Sequence, residues 1–160
     1  MIRILWYAVS ASVVEAMKPD QRQKLDQDFV RLAEKGRRYS IGDYLAAYQT
    51  RADLANAMAR FHEKYDLLLT PQMPIPALEA GRVMPAQGGW GDEWIEWSPY
   101  TYPFNLTQQP AASVPCGFTS EGLPIALQIV GPAHADALVL RAARAFESAR
   151  PFATVAAPRS

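Results

Sequence analysis

Residues 104–131, FNLTQQPAASVPCGFTSEGLPIALQIVG, are the stretch that decides the predicted fold. They contain two short, mainly apolar segments, 112–115 and 125–130, and the residues between these segments include Gly117 and Gly122. Short apolar runs bounded by glycine and proline are typical of β-strands joined by a turn. The stretch therefore predicts two strands that follow each other closely along the chain.

The residues on either side of this stretch add a third strand and a helix. Residues 67–69 form a continuous apolar run that closes at Pro71, which predicts a buried strand, because a half-exposed strand would alternate with polar residues. Residues 135–148 carry apolar side chains at the spacing of an amphipathic helix. A strand, a turn, a second strand and a helix in succession indicate a mixed α/β arrangement.

Two more helices are predicted earlier in the chain. Residues 21–35 carry apolar side chains at positions i, i+4 and i+7, which predicts an amphipathic helix that ends at Gly36. A longer helix is predicted to begin near Ser40, with Ser40 as its N-cap and Asp43 three residues later, in the pattern of a capping box. Both helices are expected to serve packing.

The order of these segments resembles the C-terminal part of the amidase signature family, which comprises amidases and amide hydrolases like the amidotransferase A chain. About 110 of the 160 residues, 40–152, follow the family pattern in the right order. The matching segments are the long helix at 40–66, DLLLTPQMPIPA at 66–77, the hallmark at 104–131 and the last helix with its Arg-Pro-aromatic ending at 135–152. The resemblance implies an α/β fold in which the C-terminal part of a mixed β-sheet core is covered by helices. Residues 1–39 would be a helical lead-in, and 1–160 a single domain.

Two positions depart from the family pattern. Gln108 and Ala126 stand where glycine is usual in the family. Glycine tolerates positive φ and a close approach of backbones, so each replacement adds a side chain at a place that favours none. The departures put the local packing in question without affecting the resemblance.

The resemblance also implies carboxamide hydrolysis by a Ser–cisSer–Lys triad, whose residues lie well N-terminal of the matched region. The cis-serine and the nucleophilic serine belong to a signature of the Gly-Gly-Ser-Ser type, but the only Gly-Gly here is Gly88-Gly89, and Trp90 follows it. The sequence contains no Ser-x-x-Lys and no Gly-x-Ser-x-Gly nucleophile elbow. We therefore predict no catalytic residue in this chain, no metal or organic cofactor, and no activity of the chain alone. The alternative is a non-catalytic interaction or vestigial module derived from an amidase.

Three tryptophans are the candidate substrate-pocket residues. Trp90, Trp94 and Trp97 are spaced i, i+4, i+7, and they follow a loop rich in proline and glycine at 71–91. Their indoles could wall a pocket for an apolar or aromatic acyl group, in which case a small-molecule amide would bind only in the full enzyme. The competing interpretation is that they fill core space or cover another part of the enzyme.

A cysteine hydrolase is a further alternative. Cys116 with His62 or His134 and Asn105 supplies every residue type of such a triad. Cysteine is often buried, and Cys116 and Asn105 fall inside the hallmark, where the resemblance implies structural roles. The two histidines are far apart without neighbouring ligands, so their spacing indicates no metal site.

Charge and cysteine content narrow the partners and the compartment. Lys plus Arg equals Asp plus Glu at 16 each, so no net field attracts nucleic acid or an anionic membrane. The apolar opening at 1–17 is too short to span a bilayer and is interpreted as a helix. A single cysteine fits a reducing compartment, which predicts the cytoplasm. A homo-oligomer could form through 112–115 and 125–130 or through the first helix, because part of a fold exposes apolar faces.

Overall fold

The computed structural model of the chain describes residues 1–86, 89, 91 and 93–152, except for the side chain of Trp94. These residues divide into two compact units, Met1–Asn56 and Ala57–Ser160. The prediction that 1–160 form a single domain is not tested by this division and stays a prediction. The helices and strands in chain order are α1 (Ile2–Ala16), α2 (Pro19–Arg22), α3 (Gln27–Gly36), α4 (Ile41–His62), β1 (Leu68–Pro71), a 3-10 turn (Trp94–Glu96), α5 (Tyr102–Thr107), β2 (Ala111–Phe118), β3 (Pro124–Val130) and α6 (Asp136–Ala149).

The first unit is built around a close crossing of α1 and α3. A Cβ atom added to Gly36 would lie 1.9 Å from the carbonyl oxygen of Tyr7, so the two backbones are almost in contact there. Ala33, one turn earlier on α3, is only 1% exposed. Gly36 is thus needed for close approach rather than for a left-handed helix end, since α3 ends on Arg37 in a right-handed conformation.

The helix predicted over 21–35 is interrupted. Asp26 is an N-cap whose carboxylate accepts hydrogen bonds from the backbone N–H groups of Asp28 and Phe29, at 2.8 and 3.2 Å. Such a cap begins a new helix, because its own backbone is not helical. Residues 19–22 and 27–36 therefore form two helices, and the prediction of one continuous helix was wrong at this point.

The start of α4 agrees with the sequence pattern. Ser40 Oγ accepts a hydrogen bond from the Asp43 backbone N–H at 3.1 Å, and the Asp43 carboxylate accepts one from the Ser40 backbone N–H at 2.9 Å. This reciprocal pair is a capping box, which satisfies two backbone donors at the helix start. The helix is shorter than predicted, because it ends at His62.

The second unit contains a three-stranded sheet in the order β1-β3-β2, with both pairs antiparallel. Gln128 at the middle of β3 lies opposite Thr70 on one side and Ser113 on the other. The register of β2 shifts between Pro115 and Gly117, which marks a bulge. Helices combined with this small sheet agree with the α/β class that the sequence predicts.

Helix α6 packs on one face of the sheet and closes the main apolar core. The core consists of Val114, Ile129, Val139 and Ala143, each at most 9% exposed. Full burial of a valine or isoleucine side chain contributes about 1.5–3 kcal/mol, so this cluster is the main stabilising feature of the unit. Strand β1 lies at the sheet edge, and Leu69 is 57% exposed. The prediction of a fully buried strand was therefore wrong for β1.

The first helix, α1, carries apolar side chains on its buried and on its exposed side. It buries Leu5, Tyr7 and Val14, whereas Trp6 and Val9 are about half exposed. In the part of the chain that the structure describes, every helix is too short or too polar to cross a lipid bilayer.

Candidate functional site

A cavity of about 720 Å³ lies in the second unit. Its lining consists of residues 69–78, Trp97, Cys116 and 124–127. The volume falls within the range of about 300–1,000 Å³ that small-molecule sites occupy. The end of β1, the start of β3 and the proline-rich segment after β1 thus border a half-open space in which a small ligand would fit.

The lining of the cavity is apolar and carries no formal charge. None of the described residues that line it is Asp, Glu, Lys, Arg or His, and its polar side chains are Thr70, Gln72 and Cys116. A charged ligand would lose part of its hydration there without gaining an ionic partner, which is unfavourable. The cavity therefore suits a neutral, mainly apolar group.

The segment after β1 is held to the sheet at its start. The backbone N–H of Gln72 donates to the carbonyl oxygen of Ala126 at 3.0 Å. Pro71, Pro74 and Pro76 restrict the backbone of the same segment, because each proline fixes its own φ. The wall that this segment forms is consequently stiffer than an ordinary loop.

Gln128 links β3 to Thr70 in the cavity wall and to Tyr100, which follows the wall residue Trp97 in the sequence. Its side-chain Nε2 donates to Thr70 Oγ1 at 2.9 Å and to the carbonyl oxygen of Tyr100 at 2.8 Å. Gln128 is only 4% exposed, so both hydrogen bonds lie in a desolvated place. This residue was not among those predicted from the sequence. The one available signal was a polar side chain within an otherwise apolar strand.

Trp97 is the predicted pocket residue that the structure brings to the cavity. Its Nε1–H donates to the carbonyl oxygen of Val83 at 3.0 Å, so the only polar atom of the indole is engaged and its ring can present an apolar surface. Trp97 follows the 3-10 turn Trp94–Glu96 rather than lying on an α-helical face. Trp90 and the side chain of Trp94 fall outside the described residues, so their predicted roles stay predictions.

The two departures from the family pattern have visible local consequences. Gln108 follows α5 with φ +58° and ψ +34°, a left-handed conformation that glycine adopts without strain. Ala126 lines the cavity, so its methyl group occupies space that glycine would leave open. The first departure strains the backbone, and the second narrows the cavity.

Two residues of the cysteine-hydrolase alternative, Cys116 and His62, contact other groups. Cys116 Sγ lies 3.7 Å from the carbonyl oxygen of Ile125, its hydrogen-bond partner among the described contacts. The ring nitrogens of His62 lie 2.9 Å from the Tyr65 carbonyl oxygen and 2.8 Å from Gln109 Nε2. Both ring nitrogens are thus occupied by groups other than the thiol, which disfavours a Cys116–His62 pair.

His62 is part of a second amide-centred bridge. Gln109 Nε2 also donates to the carbonyl oxygen of Gly131 at 2.9 Å, and Gln109 Oε1 accepts from Thr107 Oγ1 at 2.8 Å. Because His62 Nδ1 faces a carbonyl and Nε2 faces an N–H donor, a neutral ring with its proton on Nδ1 satisfies both contacts. This bridge joins the end of α4 to the end of β3 and is structural. Across the described ranges, no three His, Cys, Asp or Glu side chains cluster as metal ligands.

The family model for Amidase matches residues 7–140. The chain belongs to the amidase family. Among curated relatives, this amidase chain is 31% identical over 137 residues to an acylamidase of Rhodococcus erythropolis, covering 84% of this chain and 28% of that protein. It is 38% identical over 120 residues to the A chain of the glutamyl-tRNA(Gln) amidotransferase of Myxococcus xanthus, covering 75% of this chain and 24% of that protein. The amidase chain thus spans about a quarter of the length of these relatives.

Solved structures show the same fold. A bacterial aryl acylamidase of the amidase signature family matches with a TM-score of 0.76 at 24% identity, covering 92% of this amidase chain and 33% of its own. A crystal structure of an amidase matches with a TM-score of 0.80 at 23% identity, covering 92% and 34%. A protein from a vestigial complex related to the origins of an s-triazine catabolic enzyme matches with a TM-score of 0.77 at 19% identity, covering 99% and 35%. The predicted α/β amidase-signature fold is confirmed.

Proposed function

We propose that this chain supplies the C-terminal third of a carboxamide hydrolase and forms one wall of its acyl pocket. The observation that carries the proposal is the uncharged cavity of about 720 Å³, which lies within the region that matches the amidase family. Trp97 lines this cavity with its polar atom already engaged. The substrate class is a small neutral amide with an apolar or aromatic acyl group.

The chemical step belongs to residues outside this chain. By family resemblance, a serine attacks the amide carbonyl, a lysine moves protons through a cis-serine, and backbone N–H groups stabilise the oxyanion. The residues of this chain bind and orient the acyl group and exclude water from it. No metal or organic cofactor takes part in this scheme.

The sequence-based expectation was that a small-molecule amide binds only in the full enzyme. The cavity, however, is lined entirely by residues of this chain, so binding to the chain alone can be measured without turnover. Cys116 is the single cysteine, it lines the cavity, and it is partly exposed. We expect benzamide, which is neutral, to slow the reaction of Cys116 with N-ethylmaleimide, whereas benzoate leaves the rate unchanged. Equal protection by benzamide and benzoate, or protection by neither, contradicts the pocket assignment.

Activity is tested separately. We expect the isolated chain to show no saturable hydrolysis of p-nitroacetanilide, because it lacks a nucleophile and base of the family type. A chimera in which the chain replaces the matching segment of the Rhodococcus erythropolis acylamidase is expected to hydrolyse this amide, provided that it shows cooperative thermal unfolding. Turnover by the isolated chain would refute the proposal. If that turnover were lost in Cys116→Ser, the cysteine-hydrolase alternative would replace it.

A second candidate function is a non-catalytic interaction module that forms a homo-oligomer. The observation that favours it is a row of exposed apolar side chains on α4: Ile41 is 74% exposed, Leu45 60% and Tyr48 53%. Their spacing places them on one side of the helix. Contiguous exposed apolar side chains of this kind are a feature of association surfaces.

Association through this row has a matched control. Leu45→Glu is expected to convert an oligomer into a monomer in light scattering, because it places a charge in the contact. Leu140→Glu on α6, where the leucine is 65% exposed, is expected to leave the mass unchanged. A wild-type monomer at high concentration, or the same shift from both variants, argues against this module. The proposed location remains the cytoplasm, and the balanced charge of 16 basic and 16 acidic residues supports a scheme without nucleic acid or an anionic membrane surface as partner.

A further inference from the structure

The side-chain amide of Gln128 connects three separate stretches of the chain in the second unit. It lies on β3, directly after the cavity-lining residues 124–127, and it is 4% exposed. Its Nε2 donates to Thr70, 58 positions away, and to Tyr100, 28 positions away. An amide nitrogen carries two N–H groups, and these two acceptors account for both of them.

Each of the two acceptors adjoins a wall of the cavity. Thr70 itself lines the cavity and immediately precedes the proline-containing segment 71–78. Tyr100 follows Trp97 by three residues, so the hydrogen bond to its carbonyl oxygen fixes the backbone that carries the indole. Trp97 is held a second time by its own hydrogen bond to Val83.

We propose that Gln128 is a positioning residue for this pocket: its amide holds the segments that carry Thr70 and Trp97 in place on β3. The inference rests on the proposed function in treating the cavity as the acyl pocket, but the clamp itself is a geometric feature. Gln128 is absent from the cavity lining, so it acts through the two segments and does not touch the ligand. The property that holds the two segments is the pair of N–H donors on its side-chain amide.

Substitutions can separate the donors of Gln128 from its volume. In Gln128→Glu the side chain keeps its shape, but a carboxylate has no hydrogen to donate and a neutral carboxyl group has only one. At least one of the two donated hydrogen bonds is therefore lost. In Gln128→Met the chain keeps its length and loses all polarity. Thr70→Val removes only one of the two acceptors and retains the branched shape of the side chain. All three changes leave the cavity-lining cysteine and tryptophan in place.

Gln109 provides the matched control. Its Nε2 also donates twice, to His62 Nε2 and to the carbonyl oxygen of Gly131, and neither partner lines the cavity. Gln109→Met therefore removes an equivalent bridge from the same unit without releasing a cavity wall. If Gln128 only supported the fold, its variants would change the modification rate of Cys116 no more than Gln109→Met does at the same loss of stability.

The test is the rate at which N-ethylmaleimide modifies Cys116 in the intact chain, measured together with the urea midpoint. We expect a roughly fivefold faster reaction in Gln128→Met, which loses both donated hydrogen bonds, and smaller increases in Gln128→Glu and Thr70→Val, which can each lose as few as one. Gln109→Met is expected to react at the wild-type rate once the urea midpoints are taken into account.

Two results would overturn the inference. One is an unchanged or slower reaction in the Gln128 variants, and the other is an equal acceleration in Gln109→Met. If both Gln128 variants fail to fold, Thr70→Val still decides, because an unchanged rate there rejects the clamp. Failure of the proposed function is visible separately, as a lack of benzamide protection in the wild type or an inactive folded chimera. Neither of these alters the comparison of modification rates.

Discussion

Each of the two compact units of this chain is stabilised by a different kind of internal packing. In Met1–Asn56, helices α1 and α3 approach so closely that Gly36 meets the backbone of Tyr7. In Ala57–Ser160, branched side chains such as Val114 and Ile129 form the core between the sheet and α6. The stability of the first unit depends on the absence of a side chain at Gly36. The stability of the second unit depends on apolar side chains that fill its core.

This difference predicts different responses to the same substitution. A backbone atom cannot rotate away from an added methyl group, whereas a side chain can change its rotamer at a moderate cost in free energy. Glycine-to-alanine changes are therefore the natural probe, because the chain has glycines that face a backbone, a side chain or open space. The expected loss of stability is largest where the added methyl group meets a backbone.

Gly36→Ala is expected to destabilise the first unit by about 3 kcal/mol, at the upper end of the range for overpacking. The added Cβ would lie 1.9 Å from the Tyr7 carbonyl oxygen and 2.3 Å from its carbonyl carbon, so the helices must move apart. Urea denaturation followed by circular dichroism measures the loss.

Gly42→Ala is the control for this change. Gly42 lies in the first turn of α4, and its nearest neighbour would be Ser40 Oγ at 3.5 Å, an ordinary contact. Alanine is favoured over glycine in helices by up to about 1 kcal/mol, so a neutral or stabilising effect is expected. If Gly36→Ala is as harmless as Gly42→Ala, the close crossing does not control the stability of the first unit.

Gly131→Ala is expected to have a smaller effect, about 1–2 kcal/mol, in the second unit. The added Cβ would lie 2.7 Å from Val139 Cγ2, a side-chain atom that can move. Gly117→Ala serves as the neighbouring control, because its nearest contact would be Ile125 Cδ1 at 3.6 Å. An effect of Gly131→Ala as large as that of Gly36→Ala would show that the second unit is no more adaptable than the first.

The sequence predicted the strands of the second unit better than their ends. Segment 112–115 was identified as a strand, but β2 continues to Phe118 because a bulge carries the pairing past Cys116 and Gly117. The glycine was interpreted as part of a turn, and only the register with β3 distinguishes a bulge from a turn. Similarly, Asp26 interrupts the helix predicted over 21–35, because its cap competes with a continuous apolar pattern.

The candidate site could be predicted only in part, for a related reason. Trp97 lines the cavity, and it was predicted as a pocket residue because large aromatic residues at regular spacing are visible in a sequence; its binding role stays a prediction. Gln128 was missed because its two partners lie 58 and 28 positions away, and no local spacing indicates them. A buried amide acts through long-range geometry, so a pattern of neighbouring residues cannot specify it.

Gln108→Gly is expected to stabilise the second unit by about 1 kcal/mol, the approximate strain of a left-handed conformation in a residue with a side chain. Gln108 has φ +58°, whereas Gln109 does not have a positive φ. Gln109→Gly is the control, and it is expected to destabilise, because it removes the bridge to His62 and Gly131. If both variants are equally destabilised in urea denaturation, the contacts of the Gln108 side chain stabilise the fold by more than its backbone strain destabilises it.

The smallest expected effect concerns pH and the start of α4. Hydrogen bonds from the Ser40 side chain and backbone lower the pKa of Asp43 below its ordinary value of 3.8. A lowered folded-state pKa means that the carboxylate stabilises the fold fully above the ordinary value, and that this contribution is lost as pH falls through the folded value. The stability difference between wild type and Asp43→Asn should therefore shrink on acidification.

The contrast between the units makes this last prediction specific. The capping carboxylate of Asp43 is exposed, whereas Gln128 in the second unit is buried and has no titrating group of its own. Thermal melts of Gln128→Met are thus expected to differ from wild type by the same amount at neutral and acidic pH, while the Asp43→Asn difference declines. Parallel pH profiles for the two variants would place the acid sensitivity outside the capping box. Since the capping box lies in the first unit, a decline confined to Asp43→Asn assigns that sensitivity to a local helix start rather than to the amide bridges around the cavity.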